Sequence, residues 1–542
     1  MRAAPVRPLP LETSTRRALW VFALGMVAVG LVAATPGSPF PAALPNGQEP
    51  GGPFRWISAV LFLEHLGQLG LVLIGTAALV TAAAGFLMVL REAWQGRLPM
   101  RTAVILAVAA NLIVLTLPLL FSRDVYSYVF QGRIFSTYGA NPYSATPADF
   151  ELNSIFEVTW PGWRGTPSVY GPLFTWFSVA LTSIVKSVPM VTNGFQVAAA
   201  AAVLGTMAIV VKTVQRVRPD RAVFAAVMVA VNPVVVLHVT GGGHNDAFVA
   251  LFVAAAAWYL FARRELAAAL CLALAMSIKI TAVLPLIVLL VAVIAATPRE
   301  RRLRAMGVFG GSVAAVWLVL AIPFLDGRTW TLGLTQVAGN ESWMSAGQSV
   351  VRAFSGLGGL IGGEIAREPA QALARVVLIA LAAGAVFAIA RRVWRDPSAR
   401  TPQALAAAWG WAFIAILLTS PVLYTWYLVW VLPIAWVLPK VPRRALIVLS
   451  TALLASQLVT ESAQIPAALQ QVNLAYGHPV TLIVAIWVGR DFIRRMVRGA
   501  PLHAETLDPA FGDAFENELP AIDTAVPRVG TGPQPVATMR RR

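Results

Sequence analysis

Asp124 is the side chain on which most of the chemistry in this sequence turns. It follows Arg123 at the point where a long apolar run, residues 102–121, gives way to Ser122-Arg123-Asp124-Val125-Tyr126-Ser127-Tyr128. A single carboxylate at the mouth of an apolar segment suits a general base that takes a proton from a hydroxyl. Further along lie Gly241-Gly242-Gly243-His244-Asn245-Asp246, Lys279, Asn340-Glu341, Arg352 and Tyr424-Thr425-Trp426-Tyr427. Arg123, His244, Lys279 and Arg352 would give a departing phosphate the preorganised positive partners its developing charge needs. Tyr and Trp faces, with Tyr126, Trp163, Tyr170, Tyr424 and Tyr427 as candidates, suit sugar rings and apolar chains. Base, phosphate pocket and lipid access together describe glycosyl transfer from a lipid-phosphate sugar. Each element also has an ordinary reading. Asp124 could pair with Arg123, Asn245 and Asp246 could cap a helix, Lys279 could snorkel to an interface, and the tyrosines could form an aromatic belt.

The elements that must position these residues are membrane helices. Of 542 residues, 58% are hydrophobic and 12% charged, against roughly 25% charged in an ordinary soluble domain. Apolar runs of about 17–25 residues recur along the chain, each long enough to cross a bilayer. In lipid the backbone must satisfy itself, and no period-two alternation suggests a barrel, so the runs are expected to be helices. The net charge of +17 comes from 42 Lys+Arg against 25 Asp+Glu. The basic residues sit in short clusters between apolar runs, a pattern that sets topology rather than one that binds nucleic acid. Cys271 is the only cysteine, which excludes an intramolecular disulfide and a cysteine metal site.

The clusters orient the expected crossings. A cytoplasmic segment 1–17 precedes a membrane domain over 18–499, and the Pro- and Ala-rich tail 500–542 is expected to be disordered and cytoplasmic. Crossings are expected at 18–34, 69–90, 102–121, 197–211, 222–239, 247–261, a tight pair over 266–296 that turns near Lys279, 308–324, 374–390, 404–419, 428–438, 445–460 and 481–488. The short run 173–188 is expected to be interfacial or re-entrant. The fold class is therefore an all-α polytopic membrane protein with about 14 spans. Both termini face the cytoplasm, and a long outer loop, 122–171, contains short helices. A second outer loop is expected over 325–370. The first loop carries eleven Tyr, Trp and Phe residues, which argues against disorder. This topology gathers the unusual polar residues on the outer face of the plasma membrane.

At these residues the chain resembles a known family. Arg123-Asp124-Val125-Tyr126-Ser127-Tyr128, Gln131-Gly132, Asn141-Pro142-Tyr143 and Tyr170-Gly171-Pro172-Leu173 are similar to the first outer loop of the actinobacterial polyprenol-phosphomannose-dependent α-1,6-mannosyltransferases. Gly242-Gly243-His244-Asn245-Asp246 and the stretch from Ser420-Pro421 to Tyr427 and Trp430 share the resemblance, which runs in order over residues 100–435.

The resemblance implies the GT-C class of membrane glycosyltransferases, with Asp124 at the catalytic acidic position. It implies an inverting transfer of mannose from polyprenyl-phosphate mannose to a lipid-linked α-1,6-mannan. The acceptor would be a phosphatidylinositol-mannoside-like glycolipid, as in lipomannan and lipoarabinomannan assembly in the cell envelope. Val125 and Tyr126 follow Asp124 where a wider class carries an Asp-x-Asp pair, so no divalent metal and no further cofactor is expected. Two other readings compete. One is another polyprenyl-phosphate-sugar transferase, arabinofuranosyl or glucosyl. The other is a transporter or flippase, for which midplane charges and repeated halves would be expected and no internal repeat is found.

Overall fold

The computed structural model describes residues 11–42, 50–325, 342, 344–458 and 479–504. Among these, regular structure is helical apart from one isolated β-bridge between Pro41 and Leu120. Six helices are long and apolar enough to cross a membrane: Thr13–Ala33, Leu63–Trp94, Val188–Val217, Arg299–Phe324, Glu364–Arg395 and Pro402–Thr419. A bent pair, Pro219–Ala230 and Val234–Thr240, makes a seventh if counted as one span, with 41° between its halves. Large apolar side chains project from the outside of the bundle, among them Leu24, Leu73, Ile105, Ile379 and Ile483. Such a coat is expensive in water and suits lipid. The protein is a multi-pass, all-helical membrane protein.

Fourteen crossings are not reached by helix length among the described residues. Apolar runs expected to cross singly are broken by local chemistry. The run 102–121 is helical only over Met100–Leu115. Pro118 offers no N–H to continue the ladder, and Leu120 N donates instead to Gly241 O at 3.0 Å while Ala42 N donates to Leu119 O at 2.7 Å. The run 222–239 breaks at Asn232-Pro233. There Asn232 Oδ1 accepts from Val234 N at 3.0 Å, its Nδ2 donates to Ser450 Oγ at 3.0 Å, and the next segment, Val234–Thr240, is a π-helix. The run 428–438 is two 3₁₀ segments, Thr425–Trp430 and Leu432–Val437, enclosed by other helices rather than by lipid.

The apolar helix Pro172–Ile184 is 13 residues long, about 20 Å, well short of a hydrocarbon core of about 30 Å. It packs along Asp124–Ser136. The expected loop 325–370 includes a 17-residue helix, Ala346–Gly362. Residues 1–10, Asn340 and Glu341, and the tail beyond Ala504 lie outside the described residues.

The bundle has two distinct ends. At one, arginines that follow the spans are tied to helix termini: Arg221 Nη1 donates to Trp94 O at 3.1 Å, Arg400 Nη1 to Ala295 O at 3.2 Å and Arg392 Nη1 to Ala500 O at 2.6 Å. At the other end the segment after Leu115 turns back into the protein and carries Asp124.

Candidate active site

Asp124 opens the helix Asp124–Ser136. Ser122 Oγ accepts from Asp124 N at 3.1 Å, which fixes the start of the helix. The preceding residue pair is held tightly: Phe121 adopts φ +60°, and its N–H donates to Phe40 O at 2.8 Å. A non-glycine residue in that region carries strain that its neighbours must hold in place. Here the Pro41–Leu120 bridge and the edge-on packing of Phe40 against Phe121 hold it.

The Asp124 carboxylate lines a cavity of about 290 Å³. Arg123, Trp163, Tyr424 and Trp426 form walls of that cavity, with Ser342, Met344 and Gln457 contributed from far along the chain. Trp163 Nε1 donates to Asp124 Oδ1 at 3.1 Å, and the other oxygen, Oδ2, lies 3.7 Å from His244 Nδ1. The side chain of Asp124 is 18% exposed. Burial pushes its carboxyl up to about 6, against the Trp163 bond and the Lys279 charge, which pull it down. Arg123 pairs with no carboxylate among the described residues.

His244 is wholly buried and stacked. Its ring lies 3.9 Å from Trp426 at 17°, and Trp426 in turn stacks on Tyr424 at 4.7 Å and 6°. Tyr128 Oη also approaches His244 Nδ1, at 3.4 Å. Asp124 and Tyr128 are four residues apart, so they share one helix face and reach the same imidazole. Gly243, at φ +62°, makes the turn that brings His244 back under this face, a conformation that glycine adopts without penalty. Asn245 stands at the start of the helix Asp246–Phe261 but makes no side-chain cap, and both its polar side-chain atoms lack partners among the described residues.

Asp246 is buried behind this cluster and fully engaged. Lys279 Nζ lies 2.7 and 2.9 Å from its two oxygens, and Trp430 Nε1 donates to Oδ1 at 2.6 Å. Lys279 also sits 4.5 Å above the Tyr427 ring. The loop bearing Lys279 is tied to the Tyr170-Gly171-Pro172 segment, since Gly171 N donates to Ile278 O at 2.9 Å and Leu173 N to Ser277 O at 2.9 Å. A Cβ on Gly171 would stand 2.4 Å from Ser277 backbone atoms, so the approach requires glycine.

The sequence-predicted residues thus divide. Asp124, Arg123, Trp163 and Tyr424 line the cavity. His244 touches Asp124 from behind. Lys279, 16% exposed, is the ion-pair partner of the buried Asp246 and is not among the cavity's walls. Tyr427 stacks on Trp430 at 4.5 Å within that pair's surroundings. Tyr126 does not face the cavity. It is two residues past Asp124 on a helix, about 200° around the axis, and packs in the core. Tyr170 is buried edge-on against Tyr128 at 5.1 Å. Arg352 lies on the Ala346–Gly362 helix and is not among the cavity's walls. Sequence reasoning missed Phe121, Ser342, Met344, Gln457 and His238. His238 is stacked on Phe121 at 4.5 Å and has both ring nitrogens without partners among the described residues. The π-helix that carries it is a form often found at functional sites, and a histidine within the apolar stretch Val234–Thr240 is the sequence signal that could have found it. Among the described residues, no three His, Cys, Asp or Glu side chains gather as a metal-binding group.

Residues 22–296 match the family model of the MptA_B family, described as alpha-(1->6)-mannopyranosyltransferase, N-terminal domain. Alpha-(1->6)-mannopyranosyltransferase A of Corynebacterium glutamicum is 30% identical over 185 residues, covering 33% of this chain and 37% of that protein. The Mycobacterium tuberculosis protein of the same description is 26% identical over 338 residues, 60% of this chain and 62% of the relative. A second M. tuberculosis alpha-(1->6)-mannopyranosyltransferase is 32% identical over 140 residues, 24% of this chain and 22% of the relative. The matches span less than two thirds of the length of each of these relatives. No solved structure matches the chain. The matched stretch holds Asp124, Trp163, His244, Asp246 and Lys279 and covers just over half of the sequence, and on that basis the chain belongs to the MptA_B family of alpha-(1->6)-mannopyranosyltransferases.

Proposed function

We propose that the protein is an inverting mannosyltransferase that moves mannose from polyprenyl-phosphate mannose to a lipid-linked α-1,6-mannan on the outer face of the plasma membrane. The observation that carries this reading is the state of the two acidic side chains. Asp246 is saturated by Lys279 and Trp430, whereas Asp124 reaches a cavity with one oxygen bonded by Trp163. An inverting transfer needs one carboxylate on the nucleophile's side. The α-1,6-mannosyl transfer for which the relatives are named supports the sugar and the linkage.

In this mechanism the acceptor 6-hydroxyl enters between Asp124 and the aromatic walls. Its oxygen attacks C1 of the β-linked mannose while the C1–O bond to phosphate breaks. The hydroxyl proton passes to Asp124, and the bond's electron pair leaves on polyprenyl phosphate. Arg123 is the cation placed to meet that phosphate, since Lys279 is committed elsewhere. Trp163 holds the carboxylate's orientation, and Tyr424, at the end of the His244–Trp426–Tyr424 stack, offers an aromatic wall to sugar. His244, sandwiched between Trp426 and the Asp124–Tyr128 face, positions the base. Basic clusters at the far end of the spans support a cytoplasmic assignment there, hence an outward Asp124.

The test is transfer by the purified protein from labelled polyprenyl-phosphate mannose, glucose and arabinofuranose side by side, for wild type and Asp124→Asn. Mannose should be preferred, and Asp124→Asn should lower transfer by about 10²-fold or more. Wild-type rates in Asp124→Asn would end the assignment of the base, and preference for another sugar would end that of the donor.

A further inference from the structure

Trp160 is a wall of the Asp124 cavity that the proposed reaction does not use. Among the described indoles lining that cavity, Trp163 and Trp426 are 9% and 8% exposed, whereas Trp160 is 41% exposed and stands at the rim. An open indole on a membrane protein ordinarily anchors it at the bilayer surface. Trp56, 73% exposed and not among the cavity's walls, fits that role. Trp160 differs because it belongs to the chamber that holds the base.

Its segment is held in a fixed pose. Pro161 follows Trp160 and opens the short helix Pro161–Arg164, which restricts the Trp160 backbone. The indole folds back over Gly162, where a Cβ would collide with the six-membered ring. Trp163 N donates to Trp160 O at 2.8 Å and Thr166 Oγ1 to Gly162 O at 2.9 Å. Arg164 fastens the preceding stretch, its Nη2 donating to Glu157 O at 2.7 Å and its Nε to Thr159 O at 3.2 Å. An aromatic side chain ordered before the ligand arrives loses little freedom on binding, so more of the contact appears as affinity.

Trp163 sets which substrate Trp160 can meet. Trp163 bonds Asp124 Oδ1, and in an inverting transfer the base stands on the nucleophile's side. Trp160 meets Trp163 edge-on, at 5.7 Å and 67°. It therefore extends the cavity outward from the base on the acceptor's side. The acceptor sugar that offers its 6-hydroxyl must lie at Asp124, and the sugar joined to it must lead away toward the rim. One face of a mannopyranose carries the axial C–H bonds of C3 and C5, an apolar patch that packs well on an aromatic side chain.

We propose that Trp160 forms a second acceptor subsite, binding the sugar next to the one that supplies the reacting hydroxyl, an inference that rests on the mannosyl transfer proposed above. The experiment is calorimetric binding of octyl α-mannoside and of its α-1,6-linked dimannoside to the full chain in a maltoside detergent, without donor, followed by transfer to each. Wild type should bind the dimannoside about five- to tenfold more tightly, from the apolar surface that one sugar face covers. Trp160→Ala should bring that ratio down to about one, the value for a lost contact. Trp160→Phe should keep part of the preference, and it serves as the test should Trp160→Ala fail to fold. Trp56→Ala removes an exposed indole outside the cavity and should keep the preference in full. In transfer the same ratio should appear in KM rather than in kcat. No preference of the wild type for the dimannoside, or an equal preference in both Trp160 variants, overturns the subsite. Binding with the expected ratios but no transfer from polyprenyl-phosphate mannose supports the subsite and overturns the donor instead.

Discussion

Asp124 and Asp246 stand on opposite sides of one aromatic cluster and have opposite fates. Asp246 is wholly buried and holds a lysine and an indole. Asp124 is at the cavity wall, holds one indole, and lies 3.7 Å from an imidazole that Tyr128 also approaches. A carboxylate with both oxygens bonded to buried partners builds structure. One left partly satisfied beside open space is available for a proton. The pair teaches that acidic residues in adjacent motifs of a membrane protein are separated by their partners, not by their burial.

The sharpest way to break this contrast is to neutralise each acid in turn. Asp124→Asn is expected to lose about 10²-fold or more in transfer with little change in thermal unfolding. Asp246→Asn is expected to do the reverse in kind. It strands Lys279, which is 16% exposed, and breaking a buried pair costs about 3–5 kcal/mol. Pairing Asp246→Asn with Lys279→Met should restore much of the unfolding temperature. If Asp246→Asn folded as well as wild type and merely lost activity, the two acids would not differ as described.

A smaller effect follows at Trp163. Trp163→Phe removes the N–H that Asp124 Oδ1 accepts. Bonds to charged groups contribute about 1.5–3 kcal/mol, so transfer should fall by roughly tenfold or somewhat more. The same bond favours the ionised carboxylate, so the pH–rate profile of the variant should shift upward. In the wild type the carboxyl is held up to about 6 by burial. The ionised form is the base, so the rate should rise with pH through about 6 and fall about tenfold per unit below it. A flat profile between pH 5 and 7 would remove Asp124 from the proton transfer.

How far the sequence foretold this arrangement depends on distance along the chain. Arg123 and Asp124 stand out because a carboxylate accompanies the arginine and a Tyr-rich stretch follows, whereas the basic clusters at other run ends record topology. The Gly241-Gly242-Gly243-His244 turn stands out because glycines cluster beside titratable groups. The helical class was legible from run length. Tyr126 was misplaced because residues 122–171 read as loop. Once Asp124 is seen to begin a helix, the i, i+4 partner Tyr128 is on the site face and the i+2 residue is not. Ser342, Met344 and Gln457 carry no local mark. Met344 and Gln457 are held there by Thr425, whose hydroxyl contacts Met344 Sδ at 3.1 Å and Gln457 Oε1 at 3.5 Å, and Ser342 by its Oγ donating to Leu423 O at 2.6 Å. Where Asn232-Pro233 and Pro118 interrupt apolar runs, the continuous helix is shorter than the run, because hydropathy counts side chains and ignores missing backbone donors.

The walls around Asp124 are drawn from Phe121 at one extreme and Gln457 at the other. Synthesis proceeds at about 5–20 residues per second, so tens of seconds separate the emergence of these two residues from the ribosome. For that interval the cavity beside Asp124 lacks the wall that Gln457 provides. Completion of the cavity thus waits on residues more than 300 positions downstream of Asp124.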